Sequence, residues 1–199
     1  MKTLFVDCVM VFAMIGMQAY GQQKSLPSPT IASVLDQQLT FVENDFISAA
    51  EAMPEEKYSF VPSSGDFKDV RSFALQVRHV AFANHLFFGT ILGEKPPAGV
   101  PSPTASGRNG PESLKTKEQI VQYLRESLAL GHRAIATITP DNLVTVVENA
   151  PVPRFNTRLA LATHACSHAY DHYGQMVEYL RMNGIVPPAS RTQPTSSGK

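Results

Sequence analysis

Four stretches of this chain repeat apolar residues at the spacing of an α-helix, and each is followed by a proline or a glycine. Thr30 is a predicted N-cap for the first stretch, and Thr116 with Gln119 resembles a capping box before the third. The predicted stops are Pro54, Gly93, Pro140 and Gly184. Only residues 143–147, LVTVV, suggest a strand, and a single strand has no partner. The chain is therefore predicted to be all-α, as a four-helix bundle.

The length and charge of the chain restrict its organisation and its partners. Its 199 residues fit a single domain, which we place at residues 30–190. Lys plus Arg and Asp plus Glu both number 17, and no basic patch indicates nucleic-acid binding. We therefore expect no nucleic-acid partner. If the chain is an enzyme, we expect its substrate to be a small molecule of unknown identity. The polar residues 191–199 are predicted to be disordered.

The N-terminus has the features of a secretory signal peptide. Lys2 precedes a mostly apolar run from Leu4 to Met17, and small residues follow that run. The run is short for a membrane-spanning helix, which needs about 20 residues. We predict a signal peptide at residues 1–21 and a linker at residues 22–29. An uncleaved anchor or a wrongly assigned start codon would explain the same residues.

On this prediction the mature protein is exported, to the periplasm or outside the cell, with no stable membrane span. Cys8 lies in the predicted signal peptide, so the mature chain keeps Cys166 alone and forms no internal disulfide. Cys166 is two residues from His168 and therefore on another side of the predicted helix. We expect it to be a small buried residue rather than a nucleophile.

Three of the six histidines stand four residues apart in the last predicted helix, at His164, His168 and His172. Residues at i and i+4 lie one above the other, so two of these rings can hold one metal ion. A third ring one turn further along is difficult to bring to the same ion. We expect at most two ligands here and the next from another helix. The alternative is that the spacing arises by chance and binds no metal. The HExxH motif of zinc proteases is absent, because alanine and not glutamate follows His164 and His168.

The second predicted helix carries His79 and His85. They are six residues apart and therefore about 120° apart around the helix, so they cannot both face the centre of a bundle. We expect His79 near the edge of the core and His85 on a boundary or solvent-facing side. His79 with His168 and His172 would give three imidazoles and an open position for water, as in catalytic zinc sites.

Two longer segments resemble the DinB-like family of four-helix metalloproteins. They are residues 53–88, MPEEKYSFVPSSGDFKDVRSFALQVRHVAFANHLFF, and residues 164–188, HACSHAYDHYGQMVEYLRMNGIVPP. The resemblance covers about residues 31–188 and implies that His79, His168 and His172 are the metal ligands. It also implies an up-down-down-up bundle with a long crossover connection, and a divalent metal that is often nickel or zinc. The chain differs at Tyr173, where relatives often carry arginine.

The resemblance implies a reaction class only broadly, since relatives include transferases that use low-molecular-weight thiols and a thiol-dependent isomerase. We interpret the chain as a metal-dependent enzyme, a hydrolase or a thiol transferase, that acts by Lewis-acid catalysis. The alternative is a non-catalytic metal-binding or stress-associated module. Either protein could form a homodimer.

Ligating histidines usually donate their other N–H to a carboxylate, a carbonyl or water. His164, Gln175 and Asp45 are the candidates for hydrogen-bonding the ligands or lining the pocket. The long segment at residues 94–113, rich in proline, glycine and serine, is where we expect substrate contacts.

Overall fold

Four α-helices account for most of the chain described by the computed structural model, which covers residues 28–95 and 108–191. The helices are α1 Ile31–Ala52, α2 Phe73–Leu92, α3 Lys117–Ala136 and α4 Arg158–Met182. Short 3₁₀-helices at Glu55–Lys57 and Pro188–Ser190 follow α1 and α4. The helices pack on one another, so the prediction of an all-α four-helix bundle is confirmed.

The predictions for the two ends of the chain concern residues that are mostly outside the described ranges. The predicted signal peptide at residues 1–21, most of the linker at 22–29 and almost all of the tail at 191–199 lie outside the described residues. None of the helices in the described ranges is both long and apolar enough to cross a membrane. The LVTVV segment, residues 143–147, forms one isolated antiparallel bridge, between Val146 and Thr157, and does not form a β-strand.

The helix ends follow the predicted capping chemistry. The Thr116 hydroxyl accepts the Gln119 N–H at 3.2 Å, and the Gln119 side-chain oxygen accepts the Thr116 N–H at 3.2 Å. This reciprocal pair is a capping box, and Thr30 forms a similar one at the start of α1. Gly93 ends α2 with a φ of 69°, a left-handed conformation that glycine adopts without strain.

Local hydrogen bonds determine where α2 begins and where α3 ends. Helix α2 begins at Phe73, because the Ser72 side chain accepts the N–H of Leu75 and acts as the N-cap. Helix α3 ends at Ala136, four residues before the predicted stop at Pro140. The cause is the Thr137 N–H, which turns to the carbonyls of Ala134 and Ile135 and tightens the last turn.

Helix α2 is the most enclosed element of the bundle. It packs against α3 and α4, and α1 packs against the same two helices. The helices therefore succeed one another around the bundle in the order α1, α3, α2, α4. Most residues of α2 are buried, including the polar side chains of Gln76, Asn84 and His85. The up-down-down-up order of helix directions stays a prediction.

Helices α1, α2 and α3 make a close approach at Gly131. A Cβ atom at this position would lie 2.7 Å from Cδ2 of Leu39 in α1 and 2.7 Å from Cε2 of Phe88 in α2. Both contacts are closer than carbon atoms pack in protein interiors. The absence of a side chain at Gly131 therefore allows the three helices to pack at their present separation.

Replacing Gly131 by alanine should lower the free energy of unfolding by about 1–3 kcal/mol, because the added methyl group overpacks the core. Urea unfolding followed by circular dichroism measures this change. Gly174→Ala on α4 is the matched control, since nothing lies within 4 Å of a Cβ there. Alanine is favoured over glycine in a helix by about 1 kcal/mol, so the control should stabilise the protein. Equal effects of the two substitutions would contradict the packing argument.

A histidine joins α1 to α3 through two carboxylates. His132 on α3 lies with Nδ1 2.6 Å from Oδ1 of Asp36 and with Nε2 3.2 Å from Oε2 of Glu43, both on α1. Burial alone would lower the pKa of His132, but the hydrogen bonds and charges of Asp36 and Glu43 outweigh burial and raise it. Because both ring nitrogens face acceptors, the protonated form fits this position best.

Stability should depend on pH through His132. Its folded-state pKa is raised above the usual 6.5, so its contribution is fully present below about pH 6.5 and is lost as the pH rises through the folded-state pKa. The difference in unfolding free energy between the wild type and His132→Gln should therefore shrink as the pH rises above about 6.5, the usual histidine pKa, and through the raised folded-state pKa. In an Asp36→Asn, Glu43→Gln background this pH dependence should disappear. A difference independent of pH in the wild-type background would refute the prediction.

Candidate metal centre

Three imidazole rings meet where α2 packs against α4. His79 comes from α2, and His168 and His172 come from adjacent turns of α4. Each ring offers one nitrogen, and these nitrogens all lie within 4.8 Å of one another. The Nε2 atoms of His79 and His168 are 3.1 Å apart, and two lone pairs at this distance repel unless a proton or a cation lies between them. This triad is compatible with metal binding.

The backbone orients the His79 ring. Its Nδ1 lies 2.5 Å from the carbonyl oxygen of Arg108, and a carbonyl can only accept, so Nδ1 carries the proton. The lone pair of His79 is therefore on Nε2, the nitrogen that faces His168. A second hydrogen bond of this kind is the usual way in which proteins fix the tautomer of a metal-ligating histidine.

A chain of hydrogen bonds through two glutamine side chains and one aspartate orients the His172 ring. Nδ1 of His172 donates to Oε1 of Gln76 at 2.5 Å, and Nε2 of Gln76 donates to Oε1 of Gln175 at 2.8 Å. Nε2 of Gln175 in turn lies 3.4 Å from the carbonyl and from a carboxylate oxygen of Asp171. Because Nδ1 of His172 carries the proton that it donates to Gln76, the free lone pair of this ring is on Nε2.

The protonation states of the triad suit metal binding. Burial above all, followed by the charges of the neighbouring histidines and of Arg71, lowers the pKa of His168 to about 3 and that of His172 to about 3. Burial also lowers the pKa of His79 to about 4, although its bond to the Arg108 carbonyl opposes this change. At neutral pH all three rings are therefore neutral, and the neutral imidazole is the form that binds metal ions.

An open cavity of about 500 Å³ lies beside the triad. His79 and His168 form part of its wall, together with Arg71 and Arg108. The rest of the wall is largely apolar and includes Phe82, Leu86, Phe87, Pro151, Val152 and Pro153. A small molecule in this cavity would therefore contact two rings of the triad directly.

Three consecutive residues attach the end of the long loop to α2 and the turn before it. The Arg108 carbonyl accepts from His79, Oδ1 of Asn109 accepts from Nε of Arg71 at 2.7 Å, and the Gly110 carbonyl accepts from Nη2 of Arg78 at 3.1 Å. This Arg108–Gly110 segment belongs to the predicted substrate-contacting loop at residues 94–113, of which residues 96–107 lie outside the described ranges.

His164 is not one of the converging rings. It stacks on Phe155 with the ring centroids 4.0 Å apart and forms part of the cavity wall. Within the described part of the chain, Gln175 reaches the triad only through Gln76. Asp45 lies beside Tyr170, where burial and then this carboxylate raise the pKa of the phenol. Among the described residues no hydrogen bond joins Asp45 to the triad.

Cys166 is buried, as expected from its position on α4. Burial raises the pKa of its thiol to about 11, so the thiol is protonated at neutral pH. A protonated thiol is a poor nucleophile and a poor metal ligand.

The expectation for His85 is wrong. We expected a boundary or solvent-facing side, and the structure buries His85 to 6% exposure, stacked on Tyr123 with centroids 4.8 Å apart. The reason is that α3 covers α2 on this side. A side chain about 120° around the helix from His79 is therefore still buried against another helix. Neither ring nitrogen of His85 has a hydrogen-bond partner among the described residues.

Three residues of the site were missed by the sequence reasoning: Gln76, Arg71 and Arg108. Gln76 stands three residues before His79, on the same side of an apolar helix, and is only 1% exposed. A buried glutamine one turn from a candidate ligand is a pattern that could have identified it. No pattern in the sequence identifies Arg71 or Arg108, because they reach the site through a loop.

Comparison with known proteins agrees with this architecture. A crystal structure described as a conserved protein from Enterococcus faecalis has a TM-score of 0.61 and 17% sequence identity. The similarity covers 78% of this chain and 98% of that one, and at this identity it shows the fold alone. No match was found among curated proteins.

A family model gives the assignment. The model described as the DinB superfamily matches residues 38–176, which is more than half of the chain. The matched range begins within α1, ends within α4 and includes all three histidines of the triad. The chain belongs to the DinB superfamily.

Proposed function

We propose that this protein is a divalent-metal-dependent enzyme whose metal ligands are His79, His168 and His172. The observation that carries the proposal is the convergence of three neutral imidazoles beside an open cavity. Three protein ligands with room for a further group are typical of catalytic sites, whereas structural zinc sites are usually closed by four protein ligands. Within the described residues, no fourth histidine, cysteine or carboxylate joins the group.

The geometry of the rings fits an ion. Metal–nitrogen bonds of about 2.0–2.1 Å place two ligand nitrogens roughly 3.3 Å apart in a tetrahedral site. The Nε2 atoms of His79 and His168 are separated by 3.1 Å, close to this value. Hydrogen bonds at Nδ1 of His79 and His172 leave Nε2 as the free nitrogen on each ring. Three imidazoles suit nickel or zinc, and we propose one of these as the ion.

The protein's own residues account for binding and orientation. Gln76 and the Arg108 carbonyl hold two rings in a fixed tautomer, and the apolar wall of the cavity excludes water around a bound molecule. A divalent ion bound here supplies Lewis-acid chemistry, because it stabilises negative charge that develops on an oxygen or a sulfur atom. We propose hydrolysis or thiol transfer on a small molecule. Predicted export favours hydrolysis, since the thiol pool of the cytosol would be absent.

The metal content of the protein tests the ligand assignment. Protein purified without a histidine tag should contain about one divalent ion per chain by mass spectrometry, as a single three-imidazole site can hold only one ion. The His79→Ala, His168→Ala, His172→Ala variant should contain almost none. His164→Ala is the matched control, because this ring lies on the same helix outside the triad, and it should keep its metal.

Two outcomes would count against the proposal. Full metal content in the folded triple variant would remove the ligand assignment. A normally loaded wild type that turns over neither activated esters nor a thiol with an electrophile, across a broad panel, would favour the non-catalytic metal-binding module instead.

Gln76 should control the affinity for the ion without binding it. Replacing Gln76 by methionine keeps the size of the side chain and removes the acceptor for Nδ1 of His172. Loss of such a partner typically weakens metal affinity about 10–100-fold. Competition with a chromophoric chelator measures this change. Asn84→Leu is the control, since Asn84 is a buried amide of the same helix that bonds to Ser127 and not to the triad. The zinc affinity of this variant should equal that of the wild type. Equal affinities of the Gln76 variant and the wild type would contradict this role.

A further inference from the structure

We propose that the cavity beside the triad binds a small organic carboxylate with an apolar body, and that Arg71 binds the carboxylate group. The inference deepens the proposed function, because the same cavity would hold the substrate. It rests on the charge, the hydrogen bonding and the shape of the cavity wall.

The cavity carries positive charge that no described acid neutralises. Arg71 and Arg108 both line it, and no Asp or Glu of the described residues does. The arginines that form ion pairs among the described residues are others, Arg125 with Glu51 and Arg133 with Glu94. Residues 96–107 of the same loop, PPAGVPSPTASG, contain no acidic residue. An anion would therefore find an attractive potential in this cavity.

The two arginines are close enough to affect each other. Burial, and after it the charge of Arg108, lowers the pKa of Arg71, so the guanidinium is held where its own charge is disfavoured. Two like charges beside a largely apolar wall repel each other, and an anion between or beside them relieves this repulsion. A divalent ion at the triad would strengthen the same attraction for anions.

Hydrogen bonds hold Arg71 at two points. Its Nε donates to Oδ1 of Asn109 at 2.7 Å, and its carbonyl accepts from the hydroxyl of Tyr179 at 3.1 Å, so both ends of the residue are fixed. Its terminal amino groups donate to no acceptor among the described residues. A guanidinium held in this way presents two parallel N–H groups, the arrangement that binds a carboxylate through both oxygens.

The remaining wall determines the rest of the ligand. Phe82, Leu86 and Phe87 on α2 face the cavity together with Val152 and two prolines of the segment before α4. These side chains offer no hydrogen bonds, so a polar body would lose its contacts with water without replacement. A volume of about 500 Å³ suits a small molecule rather than a polymer. The ligand is therefore an anion at one end and apolar at the other.

Calorimetric titration with simple probes tests the inference. Phenylacetate should bind, and phenylacetamide, phenethylamine and acetate should each bind about tenfold more weakly or worse, since they lack the charge, reverse it or lack the apolar body. A phosphonate arm, benzylphosphonate, separates carboxylate preference from a general preference for oxyanions. Each titration is made on metal-free and on zinc-loaded protein, because an ion could itself attract a carboxylate.

Variants assign the preference to Arg71. In the metal-free protein Arg71→Gln should weaken phenylacetate about tenfold or more, and Arg71→Lys should retain part of the affinity. Arg181→Gln removes an exposed charge near the end of α4, where Arg181 bonds to Ser190, and should leave phenylacetate affinity unchanged. The conservative lysine variant keeps the test valid if the glutamine variant fails to fold.

The outcomes separate this inference from the proposed function. Equal binding of phenylacetate and phenylacetamide, tighter binding of benzylphosphonate than of phenylacetate, or undiminished binding in Arg71→Gln would overturn the inference, whatever the metal content. Arg71-dependent binding in a protein that takes up no metal would support the inference and remove the proposed metal-dependent function.

Discussion

The contact between α2 and α4 places three imidazole rings in a space where burial keeps them uncharged, and the rest of the site depends on this contact. Neutral rings can share so small a volume, whereas protonated rings would repel one another. Two of the rings have a partner for their second nitrogen, and both partners come from outside α4: Gln76 from α2 bonds to His172, and the Arg108 carbonyl from the loop bonds to His79. The packing of two helices is thereby linked to the direction of the lone pairs between them.

The loop that precedes α3 has two roles at this contact. Its Arg108–Gly110 segment bonds to His79, to Arg71 and to Arg78. The same segment therefore orients the His79 ring and holds Arg71, one of the two arginines that line the cavity. The cavity combines these fixed charges with an apolar wall from α2 and from the segment before α4. A mixed surface of this kind, with a few oriented polar groups in an apolar enclosure, is characteristic of small-molecule sites.

Much of the fold could be predicted from local features of the sequence. Thr30, Thr116 and Gly93 act on residues within one turn of themselves, so their effect is visible without knowledge of tertiary structure. The limit of two ligands on α4 follows from helix geometry, and the choice of His79 came with the family resemblance. His85 was misjudged because its exposure depends on which helices surround α2. Arg71 and Arg108 were missed because their contacts join residues far apart in the chain, and helical periodicity carries no information about such contacts.

The Arg108–Gly110 segment also has a consequence for how sites of this kind can diverge. At position 108 the main-chain carbonyl orients His79 and the residue also lines the cavity, so a substitution of its side chain can change the charge offered to a bound molecule and leave the carbonyl in place. Position 110 has no such freedom, because its φ is 70° and a Cβ would lie 3.1 Å from the Arg78 carbonyl. The charge offered to a bound molecule and the orientation of the His79 ring therefore depend on different parts of residue 108, so the first can change while the second is preserved.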